Sequence, residues 1–274
     1  MIVSASRRTD LPAHHAAWFV ERLRAGFVEV PNPRNPRQVS RVGLTPGEVE
    51  AFVFWTRDAR GFGPALDEVE ARGIPYLVLH TLTPYGADLE PGGPDAAARL
   101  ASLRRLSDRV GPERVVWRYD PIVLSARTDA DFHRRAFARL ARALEGATLR
   151  VVVSLLEPYR RALRRLRPLE AEGLGLELAP LSSPSARAML AELPAAAAGA
   201  GMRIQSCAAP AGLAELGIPA GACVDAALLA ALFGLSLPGG KDPGQRPRCL
   251  CARSRDIGRS GTCPAGCLYC YASP

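Results

Sequence analysis

Short runs of β-branched and apolar residues alternate along the chain with longer stretches in which apolar residues recur about once per helical turn. The runs have the length of strands, and the stretches have the period of amphipathic helices. The pattern predicts strands at residues 2–6, 51–56, 76–83, 114–123, 149–155 and 202–207. It predicts helices at residues 14–26, 64–72, 95–110, 129–144, 158–166, 182–198 and 224–233. The proline-rich stretch 31–37 is predicted to be a loop.

This order of elements gives six β-α units joined by short connections. Alternating strands and helices form parallel sheets whose faces are covered by helices. Six units close more naturally as a partial barrel than as a flat sheet. We therefore expect an α/β fold, a partial (β/α)6 parallel barrel that is TIM-like.

On four of the predicted strands, polar residues share one face and lie toward the carboxyl end. They are Ser4, Ser6, Arg8 and Asp10 on the first strand, Thr81 and Thr83 on the third, Arg118 and Asp120 on the fourth, and Arg203, Gln205 and Cys207 on the sixth. The alternative is that the arginines pair with carboxylates inside the core. Because active sites of α/β barrels gather at the carboxyl ends of the strands, the shared trend favours a lined cavity there.

The composition narrows the class of protein. The 274 residues contain no apolar run as long as a membrane span, and the N-terminus lacks the layout of a signal peptide. We expect a cytoplasmic protein with no membrane partner, in which disulfides are rare. The net charge of +8 is weak evidence for nucleic-acid binding, because only Lys241 among the 35 basic residues is a lysine, which is typical of a GC-rich genome.

Five of the seven cysteines lie in the C-terminal segment. The last three, Cys263, Cys267 and Cys270, are spaced C-x3-C-x2-C, and Tyr269 precedes the last one. Closely spaced thiolates on a Gly/Pro loop can hold an iron–sulfur cluster, zinc or Cu(I). Three ligands, rather than four, leave one iron of a cluster open to a small molecule.

The remaining four cysteines are Cys207, Cys223, Cys249 and Cys251. Four thiols suit a closed tetrahedral set, either an auxiliary [4Fe–4S] cluster or a structural zinc ion. The alternative is that they are small buried apolar residues, as free cysteines often are.

The C-terminal triplet resembles the signature of radical S-adenosylmethionine (SAM) enzymes. The resemblance implies that Cys263, Cys267 and Cys270 bind a [4Fe–4S] cluster whose open iron chelates SAM, and that Tyr269 lies near the adenine. It implies reductive cleavage of SAM to a 5′-deoxyadenosyl radical, with an electron donor such as flavodoxin or ferredoxin. The superfamily core is a partial (β/α)6 barrel, in agreement with the six predicted units.

In that superfamily the motif follows the first strand, whereas here it lies at the end of the chain. The whole chain also resembles a bacterial domain-of-unknown-function family with a C-terminal cysteine cluster. The segments that carry this resemblance are residues 4–10, 35–41, 54–56, 81–86, 117–121, 241–242 with 245–246, and 256–258. A circular permutation would reconcile the two patterns, with a strand around residues 251–256 beside the N-terminal strand. We thus expect a barrel over residues 1–240 and an iron–sulfur segment over residues 241–274 that caps the barrel mouth.

A site for SAM needs a cation for its carboxylate and acceptors for its ammonium and ribose. By face and position, the candidates are Arg118, Asp120, Ser154, Arg203 and Gln205. The substrate is open, and the arginines suit an anionic or nucleotide-like molecule. Two other functions fit the cysteines: a structural zinc protein that binds nucleic acid, and a redox iron–sulfur protein without SAM chemistry.

Overall fold

Ten strands and nine α-helices make up the part of the chain that the computed structural model describes, which is residues 1–33, 35–208, 210 and 212–273. The strands are β1 Ile2–Ala5, β2 Phe27–Asn32, β3 Asn35–Gly43, β4 Ala51–Thr56, β5 Tyr76–Thr81, β6 Val115–Ile122, β7 Arg150–Leu155, β8 Arg203–Cys207, β9 Ala220–Gly221 and β10 Ser254–Asp256. The helices are α1 Leu11–His14, α2 Ala16–Ala25, α3 Gly63–Ala71, α4 Ala96–Val110, α5 Ala130–Ala143, α6 Arg160–Ala171, α7 Pro184–Gly199, α8 Gly212–Glu215 and α9 Ala226–Phe233.

Eight of these strands form one curled half-barrel sheet in the order β10-β1-β4-β5-β6-β7-β8-β9. All neighbours run parallel. The six strands predicted from the sequence are all present, so the α/β class with a parallel sheet is confirmed. The C-terminal strand β10 pairs with the N-terminal strand β1, with Ile2 opposite Ser254 and Ser4 opposite Asp256. The two ends of the described chain therefore meet in one sheet.

The alternation of side chains along the strands separates two buried faces. Phe52 and Phe54 of β4 lie on the face covered by helices, where Phe19 of α2 makes edge-on ring contacts with both. Val53 and Trp55 lie on the opposite face, which is packed by α9 and by residues of the C-terminal segment. Parallel strands buried on both faces explain why these segments read as almost continuous apolar runs.

The loop predicted at residues 31–37 is wrong, because β2 and β3 form an antiparallel hairpin. Residue 34 of that stretch lies outside the described residues. Proline removes a hydrogen-bond donor and is tolerated on edge strands, and both strands of a two-stranded ribbon are edges. Pro31 opposite Val39 is such a case. Most side chains of β3 are exposed, so no buried face marks it in the sequence.

None of the helices in the described parts of the chain combines the length and the apolar character needed to cross a bilayer.

Candidate metal and cofactor site

A cavity of about 440 Å³ lies at the carboxyl ends of the strands, a volume in the range of small-ligand sites. We call it the strand-end cavity. Residues at the ends of β1, β4, β5, β6, β7 and β8 line it. Cysteines of both sequence sets border it: Cys207, Cys249, Cys251, Cys263, Cys267 and Cys270.

The cysteine triplet lies on the loop that follows β10. Burial raises the pKa of the Cys263 and Cys267 thiols, and the charge of Cys270 raises both further. The backbone N–H groups of Asp10 and Ala265 oppose the shift at Cys263, and the N–H of Ala272 donates to the Cys270 sulfur at 3.4 Å. N–H donors aimed at sulfur favour the thiolate form that binds metal.

The loop is held against the connection that follows β5. The N–H of Gly92 donates to the Ala265 carbonyl at 3.0 Å, and the N–H of Leu268 donates to the Leu89 carbonyl at 2.9 Å. A Cβ atom at position 92 would lie 2.6 Å from the Pro264 carbonyl oxygen. Only glycine permits this close approach of the two backbones.

An arginine on helix α6 holds the loop from the other side. Arg165 donates from Nη1 to the Cys267 carbonyl at 3.0 Å and from Nη2 to the Gly266 carbonyl at 2.6 Å. These carbonyls belong to the second cysteine of the triplet and to the residue before it, so Arg165 anchors the middle of the triplet loop to α6.

Beneath the loop, Glu90 forms a buried charge network that the sequence did not reveal. Its carboxylate accepts a hydrogen bond from Thr83 Oγ1 at 2.6 Å and another from the hydroxyl of Tyr269. It pairs with Arg57 Nη1 at 2.9 Å and with Arg99. Burial works to raise the pKa of Glu90, but the charges of the two guanidiniums outweigh it and hold the pKa below the usual value.

Tyr269, which is predicted to lie near the adenine, is held in place by this network. It lines the strand-end cavity while its hydroxyl is tied to Glu90 and Arg57. Its partner Glu90 is 179 positions away in the sequence. No local pattern could have indicated that pairing.

Asp256, the last residue of β10, joins the two ends of the chain. Its carboxylate accepts hydrogen bonds from the hydroxyls of Ser4 at 3.0 Å and Ser6 at 2.9 Å. It also accepts from the N–H groups of Arg7 at 2.8 Å and Gly258 at 3.0 Å. Three of these donors lie on β1 or directly after it, so they hold the start of the cysteine loop beside that strand.

Only some of the residues predicted to bind SAM line the cavity. Arg118, Asp120 and Ser154 line the strand-end cavity, and Arg118 forms an ion pair with Asp120. Arg203 is not part of the wall, because it is the first residue of β8 and lies exposed at the amino end of the strand. Gln205 is also directed elsewhere: its amide donates to the Ala222 carbonyl at 2.9 Å and lies over Gly221.

Two arginines that the sequence reasoning did not assign to SAM lie on the wall of the cavity. Arg7 and Arg8 follow β1, and neither forms an ion pair with a residue that the structure describes. The guanidinium of Arg7 is 5.4 Å from the centre of the Trp55 ring, and that of Arg118 is 4.7 Å from it. The Arg7 atom Nη2 is buried with no hydrogen-bond partner in the described residues.

The other four cysteines, which we call the thiol quartet, also come together. The sulfurs of Cys207, Cys223 and Cys251 lie within 4.8 Å of one another. Interaction with the side chains of Cys207 and Cys251 raises the pKa of the Cys249 thiol. Interaction with the other three thiols lowers the pKa of Cys251. All seven cysteines are free thiols.

A family model for a domain of unknown function, DUF1848, matches residues 2–272. The chain belongs to this family. The predicted membership of a domain-of-unknown-function family is thus confirmed over nearly the whole chain. The comparisons with curated proteins and with solved structures gave no match.

The donor atoms around the strand-end cavity suit a soft metal group with one open position. The three cysteines of a well-anchored loop line a space whose wall also includes Arg7 and Thr9. Arg7 Nη2 and Thr9 Oγ1 are buried with no hydrogen-bond partner in the described residues. Thiolates bind iron–sulfur clusters and zinc, and guanidiniums bind carboxylates. The residues present thus fit both a cluster and a small zwitterionic ligand beside it.

Proposed function

We propose that the protein is an iron–sulfur enzyme of radical SAM type that acts on a substrate still to be identified. The observation that carries the proposal is the position of the cysteine triplet. Its loop follows β10, a parallel strand beside β1, and all three cysteines line the strand-end cavity. A C-x3-C-x2-C loop at the carboxyl end of a parallel strand is the arrangement that the resemblance implies.

The strand order supports a circularly permuted partial (β/α)6 barrel. In the radical SAM core the cluster loop follows the first strand, and β10 occupies that edge of the sheet although it comes last in the chain. The next strands outward are β1, β4, β5, β6 and β7, in the order of the chain. On this account residues 1–240 form the barrel, and residues 241–274 supply its missing first strand and cap its mouth.

Cys263, Cys267 and Cys270 would hold a [4Fe–4S] cluster. When bound, the cluster supplies one electron that cleaves SAM to methionine and a 5′-deoxyadenosyl radical, which takes a hydrogen atom from the substrate. On this proposal Arg7 and Arg118, which line the cavity, would bind the SAM carboxylate. Asp120 and Ser154 would accept hydrogen bonds from its ammonium and ribose, and Tyr269 would adjoin the adenine. A donor of the flavodoxin or ferredoxin class would supply the electron.

The wall of the cavity favours an anionic or nucleotide-like substrate. Arg118 and Arg246 are already paired with Asp120 and Glu157. Arg8, which forms no ion pair with a described residue, leaves a cation for a substrate once Arg7 engages SAM. Because reduced thiols are needed, we propose that the protein works in the cytoplasm.

Anaerobic reconstitution with iron and sulfide tests the cluster directly. We expect about four irons and four sulfides per triplet, and an electron paramagnetic resonance signal of the reduced cluster that changes when SAM is added. Cys263→Ala, Cys267→Ala and Cys270→Ala should each abolish the SAM-dependent change. Ser260→Ala, an exposed change on the same loop, should preserve it.

A colourless protein that holds only zinc at the triplet would instead support the structural zinc protein. A cluster whose signal ignores SAM would support a redox protein without SAM chemistry.

A further inference from the structure

The thiol quartet draws on three separate segments of the chain. Cys207 ends β8, Cys223 follows β9, and Cys249 and Cys251 lie on the approach to β10. Cys223, Cys249 and Cys251 are each less than 5% exposed. Four thiols that come together from separate segments can chelate a metal ion. Cysteines that serve only as small apolar core residues have no reason to lie next to one another.

The spacing of the sulfurs indicates one ion rather than a cluster. Zinc binds thiolate at about 2.3 Å in tetrahedral geometry, which separates the sulfurs by roughly 3.8 Å. The sulfurs of Cys207, Cys223 and Cys251 lie within 4.8 Å of one another. Cys249 is two positions from Cys251, is buried, and lines the same cavity as Cys207 and Cys251. In a [4Fe–4S] cluster each thiolate binds a different iron, so the sulfurs stand farther apart than they do around one ion.

The charges around the quartet fit a negative metal centre. Zinc with four thiolates carries a net charge of about −2. Arg7, Arg118 and Arg246 line the strand-end cavity together with Cys207, Cys249 and Cys251. Arg7 Nη2 and Arg118 Nε are buried with no hydrogen-bond partner in the described residues. Arg118 and Arg246 are paired with Asp120 and Glu157, whereas Arg7 forms no ion pair with a described residue and would gain a counter-charge from a negative metal centre.

The backbone also prepares one of the ligands. The N–H of Val224 donates to the Cys251 sulfur at 3.4 Å. Donors of this kind orient metal ligands from the shell around them.

We propose that Cys207, Cys223, Cys249 and Cys251 bind one zinc ion in a closed tetrahedral site. Binding of Zn²⁺ would displace up to four thiol protons, with no redox step. Because Cys251 lies just before β10, the ion would clamp β10 to the end of β8. It would thereby position the triplet loop without taking part in its chemistry. This site does not depend on the proposed radical SAM function.

The test uses the full chain with the triplet replaced, C263A/C267A/C270A, so that any remaining metal belongs to the quartet. We expect about one zinc and no iron per chain after growth in medium that contains both metals. Cobalt substitution should give the thiolate charge-transfer bands of a tetrahedral site. Cys223→Ser in this background should lower bound zinc at least ten-fold.

A second measurement guards against a variant that merely misfolds. Titrating the folded triplet-free protein with a mercurial should release the zinc in step with modification of four thiols. Four irons and sulfides in this protein would overturn the proposal in favour of an auxiliary cluster. Absence of metal together with four freely reactive thiols would overturn it as well. Failure of the triplet to bind a cluster leaves both measurements unaffected.

Discussion

At the scale of single residues, Glu90 is the charge on which the cysteine loop depends. It is 4% exposed and carries the only negative charge that contacts both Arg57 and Arg99 among the described residues. Taking these groups out of water is costly, and their mutual attraction offsets that cost only while the set is complete. The hydroxyl of Tyr269 donates a hydrogen bond to Glu90, so the charge network also holds the cysteine loop in place.

Replacement of Glu90 by glutamine removes the charge while keeping the size. We expect the free energy of unfolding to fall by about 3–5 kcal/mol, because two buried guanidiniums lose their counter-ion. Glu172→Gln breaks the exposed pair with Arg127 and should cost less than about 1 kcal/mol. Chemical denaturation of both variants checks this, and similar losses in the two would contradict a central role for Glu90.

Gly92 offers a second test with a neighbouring control. Alanine there would place its Cβ 2.6 Å from the Pro264 carbonyl oxygen, whereas at Gly93 the nearest atom is 3.8 Å away. Gly92→Ala should therefore cost about 1–3 kcal/mol through overpacking, and it should lower iron retention by the triplet. Gly93→Ala should change neither the denaturation midpoint nor the iron content. If the two variants behave alike, the close approach at position 92 does not anchor the loop.

Site residues could be predicted from the sequence where the spacing of cysteines or the alternation of side chains along a strand indicates their position. Cysteine spacing identified the triplet, and strand alternation brought Arg118, Asp120 and Ser154 to the cavity. The prediction that Arg203 lines the cavity was wrong, because alternation indicates the face of a strand on which a residue lies but not the end of the strand. Glu90 could not be found, since its partners come from four separate segments.

At the scale of elements, helix boundaries followed the capping residues. The side chains of Asp95, Asp129 and Ser183 accept hydrogen bonds from the N–H groups three residues on, at the starts of α4, α5 and α7. Such caps are local, so they can be read from the sequence. The β2–β3 hairpin was missed because its exposed strands lack an apolar face and contain prolines.

Helix α5 predicts a dependence of stability on pH. His133 is fully buried, its Nδ1 accepts from Tyr119 Oη at 2.8 Å, and its Nε2 donates to the Val123 carbonyl at 3.0 Å. Burial lowers its pKa from 6.5 to about 4. The folded state therefore favours the neutral ring. The stabilisation of the folded state by neutral His133 is complete above pH 6.5. It is lost as the pH falls toward 4, at about 1.4 kcal/mol of unfolding free energy per pH unit.

His133→Gln keeps a donor for Val123 but cannot titrate. We expect the free energy of unfolding of this variant to fall less steeply between pH 6.5 and 4 than that of the native chain, by about 1.4 kcal/mol per pH unit. Urea denaturation across this range measures both slopes. Parallel slopes would show that His133 does not sense the acid.

At the scale of the whole molecule, the sheet brings the beginning and end of the chain together. Strand β10 has only three residues, and in addition to its pairing with β1 it is held there by hydrogen bonds from Ser4, Ser6 and Arg7 to Asp256. The pairing of β10 with β1 could be predicted only from the resemblance to radical SAM enzymes, because a circular permutation would place a C-terminal strand beside the N-terminal one. No local pattern predicts a strand this short.

Asp256→Asn should release the C-terminal segment. The amide cannot accept all four hydrogen bonds, and we expect a loss of about 2–4 kcal/mol together with faster hydrogen exchange over residues 254–273. Arg255→Gln changes the exposed neighbour on the same strand and should leave exchange unaltered. Unchanged exchange in the Asp256 variant would mean that other contacts hold the two ends together.

The most direct test of the proposed function is the formation of 5′-deoxyadenosine. Fully loaded protein is reduced anaerobically with SAM, and nucleoside and methionine are quantified by chromatography. We expect the native chain to form both products in equal amounts, Ser260→Ala to form them as well, and Cys267→Ala to form neither. A fully loaded, reduced native protein that produces neither would contradict the proposed function.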